Sequence, residues 1–249
     1  MSKTIAITNQ KGGVGKTTLS VNLAAGLNKA GKKTLLVDVD AQGNASASVG
    51  LMIESGGKTI KDLMTNGGNP RDFITTVDSL EIIPANNSLK DMEEMLINNK
   101  SFDVLKKALA PITNDYDYIV LDCPPSINAF TKNALTMAEH IIIPVDVGYF
   151  SILGLKQLLE EIELERKSLN SSLSILGVLA CKFDRRTSLS QQVFDTLKDS
   201  FPEKLFKTTI RLSIDVVRSQ IQHKSVFDYN PKSFVAQDFQ QLIEEILNA

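Results

Sequence analysis

No run of about 18 or more apolar residues occurs in this 249-residue chain, so nothing in it is expected to span a bilayer as a helix. The opening stretch MSKTIAITNQ has no apolar signal core and leads straight into a glycine-rich turn, so a cytoplasmic protein is expected. Cysteine is scarce. Cys123 and Cys181 lie far apart inside apolar runs with no CxxC pair, which argues against iron–sulfur and zinc sites and for two buried reduced thiols. The two histidines, His140 and His223, are isolated and suggest neither a metal site nor a catalytic triad; both are read as structural. Positive charge is not in excess: 27 Lys/Arg stand against 29 Asp/Glu, for a net charge of −2. That argues against a constitutive DNA coat but leaves room for a local basic face. No internal repeat, low-complexity tract or interdomain linker breaks the sequence, and no helix-turn-helix module is expected ahead of the first strand.

What is present suits a globular protein, with 43% hydrophobic and 22% charged residues and enough length to bury a sizeable core. Continuous apolar runs mark strands at TIAITN (4–9), TLLVDVD (34–40), LEIIPA (80–85), YDYIVLDC (116–123), HIIIPVD (140–146) and LSILGVLACKF (173–183). Runs that do not alternate with polar residues are those of strands covered on both faces. Helical patterns lie between them, the first being 15–31, ending at glycine. Strand–helix alternation predicts an α/β fold: one doubly wound, mostly parallel sheet with helices on both faces, residues 1–249 forming a single domain. Loops are expected over 50–58 and at NGGNPR (66–71). The last helix, SFVAQDFQQLIEEILNA, is amphipathic but acidic, which suits docking onto the domain rather than a membrane surface.

Between the first strand and first helix runs NQKGGVGKTT (9–18). Its end, Gly15-Lys16-Thr17, fits the phosphate-loop pattern G-x-x-x-x-G-K-[ST], in the strand–loop–helix context that such a loop requires. Glycines let backbone N–H groups turn inward around phosphate oxygens, and the helix directs its positive end at them. Gly12, Gly13, Val14, Gly15, Lys16, Thr17 and Thr18 are therefore the candidate nucleotide cradle. Lys16 would reach the β- and γ-phosphates, and the Thr17 hydroxyl would ligate Mg²⁺. Two features depart from the ordinary loop: Gln10 stands where the first glycine belongs, and a second lysine, Lys11, precedes the cradle.

Two acidic sites follow. LLVDVD places Asp38 and Asp40, two residues apart, at the carboxyl end of a strand, where open parallel sheets bind ligands. YIVLDCPPS places Asp122 after four apolar residues, the shape of a strand whose aspartate holds Mg²⁺. Thr17, Asp38, Asp40 and Asp122 are the candidate metal ligands.

The stretch KGGVGKT resembles the deviant phosphate loop of the ParA/MinD family of ATPases, and the resemblance extends over nearly the whole chain, most closely to small Soj-type ParA proteins. It implies a deviant P-loop NTPase fold, ATP and Mg²⁺ as cofactors, and an ATP-dependent homodimer in which Lys11 contacts the nucleotide of the other subunit. It implies that Asp40 orients the attacking water, although Ala41 replaces the family's usual proline. It puts Phe183 and Asp184 where relatives contact the base, and Arg186 where relatives bind DNA. Residues 182–232 hold ten Lys/Arg against six Asp/Glu, a local basic excess that suits non-specific phosphate contact. Asp215 falls where some relatives carry a second DNA-binding arginine; Arg218, Lys224 and Lys232 are the alternatives. The implied function is DNA partitioning, with hydrolysis stimulated by a ParB-like centromere-binding partner and no role for a membrane. A MinD-like positioning ATPase acting on a membrane or protein cargo, and a nucleotide-gated switch with little turnover, are the alternatives.

Overall fold

The structure, a computed structural model, describes residues 2–54, 56–146 and 151–249, without the side chains of residues 151–154 and 156. In chain order the elements are β1 (Lys3–Ile7), α1 (Lys16–Lys29), β2 (Thr34–Asp38), α2 (Asn44–Ser48), α3 (Ile60–Asn66), β3 (Thr75–Val77), β4 (Leu80–Ile83), α4 (Glu93–Asn98), α5 (Val104–Leu109), β5 (Tyr118–Asp122), α6 (Ala129–Met137), β6 (His140–Asp146), α7 (Ser151–Ser168), β7 (Ser174–Phe183), α8 (Ser188–Ser200), β8 (Ile210–Arg211), α9 (Ile214–Ile221), α10 (Val226–Tyr229) and α11 (Phe234–Leu247). The strands form one sheet in the order β3-β4-β2-β5-β1-β6-β7-β8. Every pairing is parallel except the β3–β4 hairpin.

The central strands carry unbroken apolar runs, 5–7, 35–37 and 119–121, because each of these residues has a core to enter. Ala6, Leu35, Val37, Ile119 and Leu121 belong to the core under α3, α5, α6, α7 and α8. Ile5, Ile7, Leu36 and Val120 belong to the opposite core, under α1 and α11. Strand periodicity of two thus feeds two hydrophobic layers at once, as a doubly wound sheet requires.

The six expected strands are present, and two more were not foreseen. β8 has only two residues. β3 escaped notice because its hairpin turn is Asp78-Ser79, both left-handed at φ +45° and +74°, with no glycine to announce it. Among the described residues of 50–58, none belongs to a helix or strand; Ser55 lies outside the description. The 66–71 loop is interrupted by a 3₁₀ turn at Pro70–Phe73.

The final helix docks as its pattern suggested. Val235, Phe239, Leu242, Ile243 and Ile246 are buried, each worth roughly 1.5–3 kcal/mol of burial. The helix lies across α1 at Gly26, where an added Cβ would stand 2.0 Å from Ile243 Cδ1 and 2.8 Å from Phe227 Cε2. The helix carrying the glycine loop is thereby clamped from behind. Gly26→Ala is expected to lower stability by about 1–2 kcal/mol, overpacking outweighing the gain in helix propensity. Ile243→Val, which deletes the Cδ1 atom in the way, should restore part of that loss; thermal unfolding of the two single variants and the double variant checks it.

Candidate nucleotide-binding and hydrolytic site

A cleft of about 690 Å³ lies over the glycine loop, lined by Gly12 to Leu19, Asp40 and Pro125 on one side and by the C-terminal segment from Ile210 to Gln220 on the other. The loop turns through Gly13 and Gly15, at φ +71° and +105°. A Cβ on Gly13 would meet nothing within 4 Å, so the backbone angle rather than space demands glycine there. Gln10 is not left-handed, which explains why glycine is dispensable at that position. α1 then begins with no side-chain cap and no acidic residue in its first turn. A positive helix end with unpartnered N–H groups and no internal anion suits an external one.

Lys16 is 7% exposed, and its ammonium donates to the Lys11 carbonyl at 3.0 Å. Burial lowers its pKa, opposed chiefly by the nearby Asp122 carboxylate. Asp122 is fully buried and accepts hydrogen bonds from Thr17 Oγ1 at 2.8 Å and Ser20 Oγ at 2.7 Å. Ser20 was missed in the sequence; it lies three residues after Thr17, on the same helix face. Thr18 Oγ1 accepts from Gln220 Nε2 at 3.1 Å, tying the loop to α9. His223, although structural in its hydrogen bond from Nδ1 to the Ala47 carbonyl (2.9 Å), lines the rim of the cleft.

Asp40 lines the cleft, held by a bond from the Gln42 N–H to Oδ1 at 2.9 Å. Asp38 has a different duty from the metal ligation suggested for it. Its Oδ1 accepts from the Asp40 N–H (3.1 Å), and its Oδ2 from the Ser46 N–H (2.9 Å) and Ser46 Oγ (2.7 Å). Three donors already converge on its two oxygens, so it anchors the turn that presents Asp40.

Asp38 and Asp122 face each other in register across β2 and β5, both fully buried. Burial and then the Asp38 charge push Asp122 up to about 7, and burial pushes Asp38 up to about 6. The site therefore holds more buried negative charge than Lys16 compensates, the condition that a divalent cation relieves. Among the described residues, no cluster of three or more His, Cys, Asp or Glu could hold a metal. The donor set fits Mg²⁺ nonetheless: one hydroxyl and one carboxylate, the remaining positions filled by water and substrate phosphates. Thr17 and Asp122 would hold it.

Two expected base contacts are corrected. Phe183 is 7% exposed and packs edge-on against Phe194 in the core on the far side of the sheet. Strand alternation would place it with Cys181, which lines the cleft, but Lys182 adopts φ +55° and the pairing of β7 with β8 shifts between Cys181 and Phe183. The bulge turns Phe183 away and sends Lys182 to the cleft wall. Asp184 is engaged by Arg186, which donates through Nε (2.9 Å) and Nη2 (2.8 Å) and holds the carboxyl down at about 2. The apolar wall opposite the loop is instead Leu212, Val216 and Val217.

The DNA candidates are exposed: Arg186 at 87%, Arg218 at 59%, Lys224 and Lys232. Lys11 does not line the cleft; it pairs with Asp146 at 2.9 Å. No helix among the described residues is long and apolar enough to cross a membrane.

Because both buried carboxyls are shifted upward, the folded metal-free protein holds protons that the unfolded chain releases. The contribution of these two groups to stability is full below about 4 and is lost as pH rises through about 7. Asp122→Asn is expected to raise the unfolding midpoint of the metal-free protein at pH 8 by roughly 2–4 °C, equivalent to about 1 kcal/mol. The same variant should lose the stabilisation that Mg²⁺ with nucleotide gives the parent; thermal scans with and without ligand check both.

Comparison with known proteins agrees with this geometry. A family model described as an AAA domain matches residues 2–175. The sporulation initiation inhibitor protein Soj of Bacillus subtilis is 42% identical over 99% of this chain and 98% of its own length. The chromosome-partitioning ATPase Soj of Treponema pallidum is 37% identical over 99% of this chain and 98% of its own. Among solved structures, cobyrinic acid a,c-diamide synthase from Mycobacterium smegmatis, with an ATP analogue and magnesium bound, superposes with a TM-score of 0.88 at 28% identity, covering 100% of this chain and 95% of that one.

Proposed function

Since this chain belongs to the Soj/ParA family of partitioning ATPases, with ATP and Mg²⁺ as its cofactors, we propose that it works as an ATP-dependent homodimer that binds DNA without sequence preference and releases it on hydrolysis. The observation that carries the reading is the cleft itself: an uncapped helix start, a buried lysine and the Thr17–Asp122 pair converge on one glycine loop. Loop N–H groups and Lys16 bind the phosphates. Mg²⁺, when bound, neutralises charge on the phosphate oxygens. Thr17 and Asp122 would hold it, and Asp40, fixed by its turn on Asp38, orients the attacking water. Lys11 supplies a cation to the nucleotide of the other subunit, as an arginine finger does. Leu212, Val216 and Val217 line the cleft opposite the loop and would take the base.

The DNA surface is assigned to Arg186, Arg218, Lys224 and Lys232. Each arginine has a carboxylate of its own chain nearby, Asp184 at 2.8 Å and Asp215 at 4.0 Å. Phosphate must displace these partners. The membrane alternative is disfavoured because the apolar face of α11 is spent on α1. A ParB-like partner at a centromere site and residence on the nucleoid complete the proposal, and family membership supports both.

Asp40→Ala should cut ATP turnover by about a hundredfold or more while leaving nucleotide affinity within a few-fold, which steady-state hydrolysis beside nucleotide titration measures. Unchanged turnover would remove Asp40 from the hydrolytic step. Non-specific duplex DNA should be bound with ATP, not with ADP or without nucleotide, and more weakly as salt rises. Arg186→Glu should weaken that binding and leave the ATP-bound dimer intact. Absence of DNA binding in every nucleotide state would move the function to the protein-cargo branch.

A further inference from the structure

Of the five left-handed residues other than glycine among those described, two line the cleft: Lys182 and His223. His223, at φ +54°, follows the last turn of α9. The Lys224 N–H donates to the Ser219 carbonyl at 2.9 Å, and the His223 N–H to the Gln220 carbonyl at 3.1 Å. This is the paired pattern of a helix end whose left-handed residue is ordinarily glycine. A residue with a Cβ is disfavoured in that conformation. The histidine is also exposed, and an exposed hydrogen bond adds little net stability. For stability alone, glycine would serve this position better.

The acceptor that the ring reaches supplies a reason for histidine. Nδ1 stands 2.9 Å from the Ala47 carbonyl oxygen, and because a carbonyl only accepts, Nδ1 donates. The Ala47 N–H donates in turn to the Gly43 carbonyl at 2.8 Å, and the Gly43 N–H to the Asp40 carbonyl at 2.9 Å. Three bonds in series thus run along α2 from the imidazole to the backbone of Asp40. Gly50 leaves room for the ring: a Cβ there would stand 3.3 Å from His223 Cβ. On its other side His223 continues α9, which presents Val216 and Val217 to the cleft and holds Thr18 through Gln220. His223 therefore joins the wall that would take the base to the helix that follows Asp40.

We propose that His223 is a positioning residue for hydrolysis: it couples the α9 wall to the Asp40 turn, so that a base seated against Val216 and Val217 sets where the Asp40 carboxylate stands. The proposal rests on the reading of Asp40 as the group that orients the attacking water. α2 has only five residues, and Ser46 on Asp38 anchors it to the sheet. The bond from His223 to Ala47 ties its far end to α9. A base that presses on α9 carries His223 with it, and α2 and the Asp40 turn follow. With the base site empty, α9 and α2 bear no such load. Phosphates alone then occupy the loop without bringing Asp40 to its working place.

The test uses the full chain with ATP and Mg²⁺ and compares turnover, nucleotide affinity, ATP-dependent dimerisation and thermal unfolding. His223→Gly keeps the left-handed turn and removes the donor. It should lower kcat by about tenfold, since a small misplacement of a reacting group is costly. Nucleotide affinity and dimerisation should stay within about twofold. The unfolding midpoint should stay within roughly 2 °C, strain relief offsetting the lost bond. His223→Asn puts an amide nitrogen where Nδ1 stood and tolerates the left-handed turn, so it should restore most of the turnover. Val216→Ala should lower kcat in the parent but add little in the His223→Gly background, because the link is already cut. Parent-like kcat in His223→Gly would overturn the proposal, as would equal losses in Gly and Asn variants, or losses with Val216→Ala that simply add. If Asp40→Ala itself leaves turnover unchanged, the reading of Asp40 fails and takes the proposal with it. If Asp40→Ala loses turnover and His223→Gly does not, the proposal fails alone.

Discussion

Two adjacent parallel strands, β2 and β5, end in aspartates that lie side by side and fully buried. Charges in that position are costly unless donors surround them, and the local structure is arranged around supplying those donors. Thr17 and Ser20 reach Asp122 from the first turns of α1, which fixes where the helix starts and hence where the glycine loop must turn. Ser46 and the Asp40 N–H reach Asp38, which fixes the turn after β2 and the start of α2. Ser46 also accepts from the Ala85 N–H, extending the same anchor to the end of β4. The donors do not fully offset burial, and the remainder persists as raised proton affinity. A cavity that holds unrelieved negative charge beside a positive helix end is ready for a cation and a polyphosphate together.

Most of the fold was legible because its signals are local. The strands β1, β2 and β5 feed two cores on alternate residues, so each contains an apolar run that does not alternate with polar residues, and Gly15-Lys16-Thr17 has a fixed spacing set by phosphate geometry. What escaped notice was determined by backbone angles or distant partners. The β3–β4 turn places two non-glycine residues in left-handed conformation, and Lys182 does the same within β7. That single bulge reverses the face of Phe183 and empties the base-contact assignment. Ser20, Ser46 and Gln220 are common residue types whose roles come only from where the fold delivers them. The pairing of Lys11 with Asp146 spans 135 residues and leaves no local trace.

The C-terminal third contributes in two layers. Its apolar helix α11 clamps α1 through close approach at Gly26, giving the loop a rigid back. Its exposed helix α9 leans over the mouth, joined to α1 through Gln220 and Thr18, while His223 bonds the carbonyl of Ala47. The cleft wall is therefore built from the two ends of the chain. Two cations of the region, Arg186 and Arg218, are engaged in place by Asp184 and Asp215, so their attraction for polyanions involves an exchange of partners.

Strand β1, which delivers the glycine loop, is flanked by β5 and β6 rather than by β2. Its nearest partner in sequence, Tyr118, is paired with Lys3. During synthesis the loop precedes both neighbours of its strand, which stays unpaired until the chain has been made through Tyr118 and then His140. Parallel pairings this distant form only after large loops have closed. The nucleotide site thus assembles only after residues far downstream of its loop have been made. A truncated chain carries the motif without the capacity to use it.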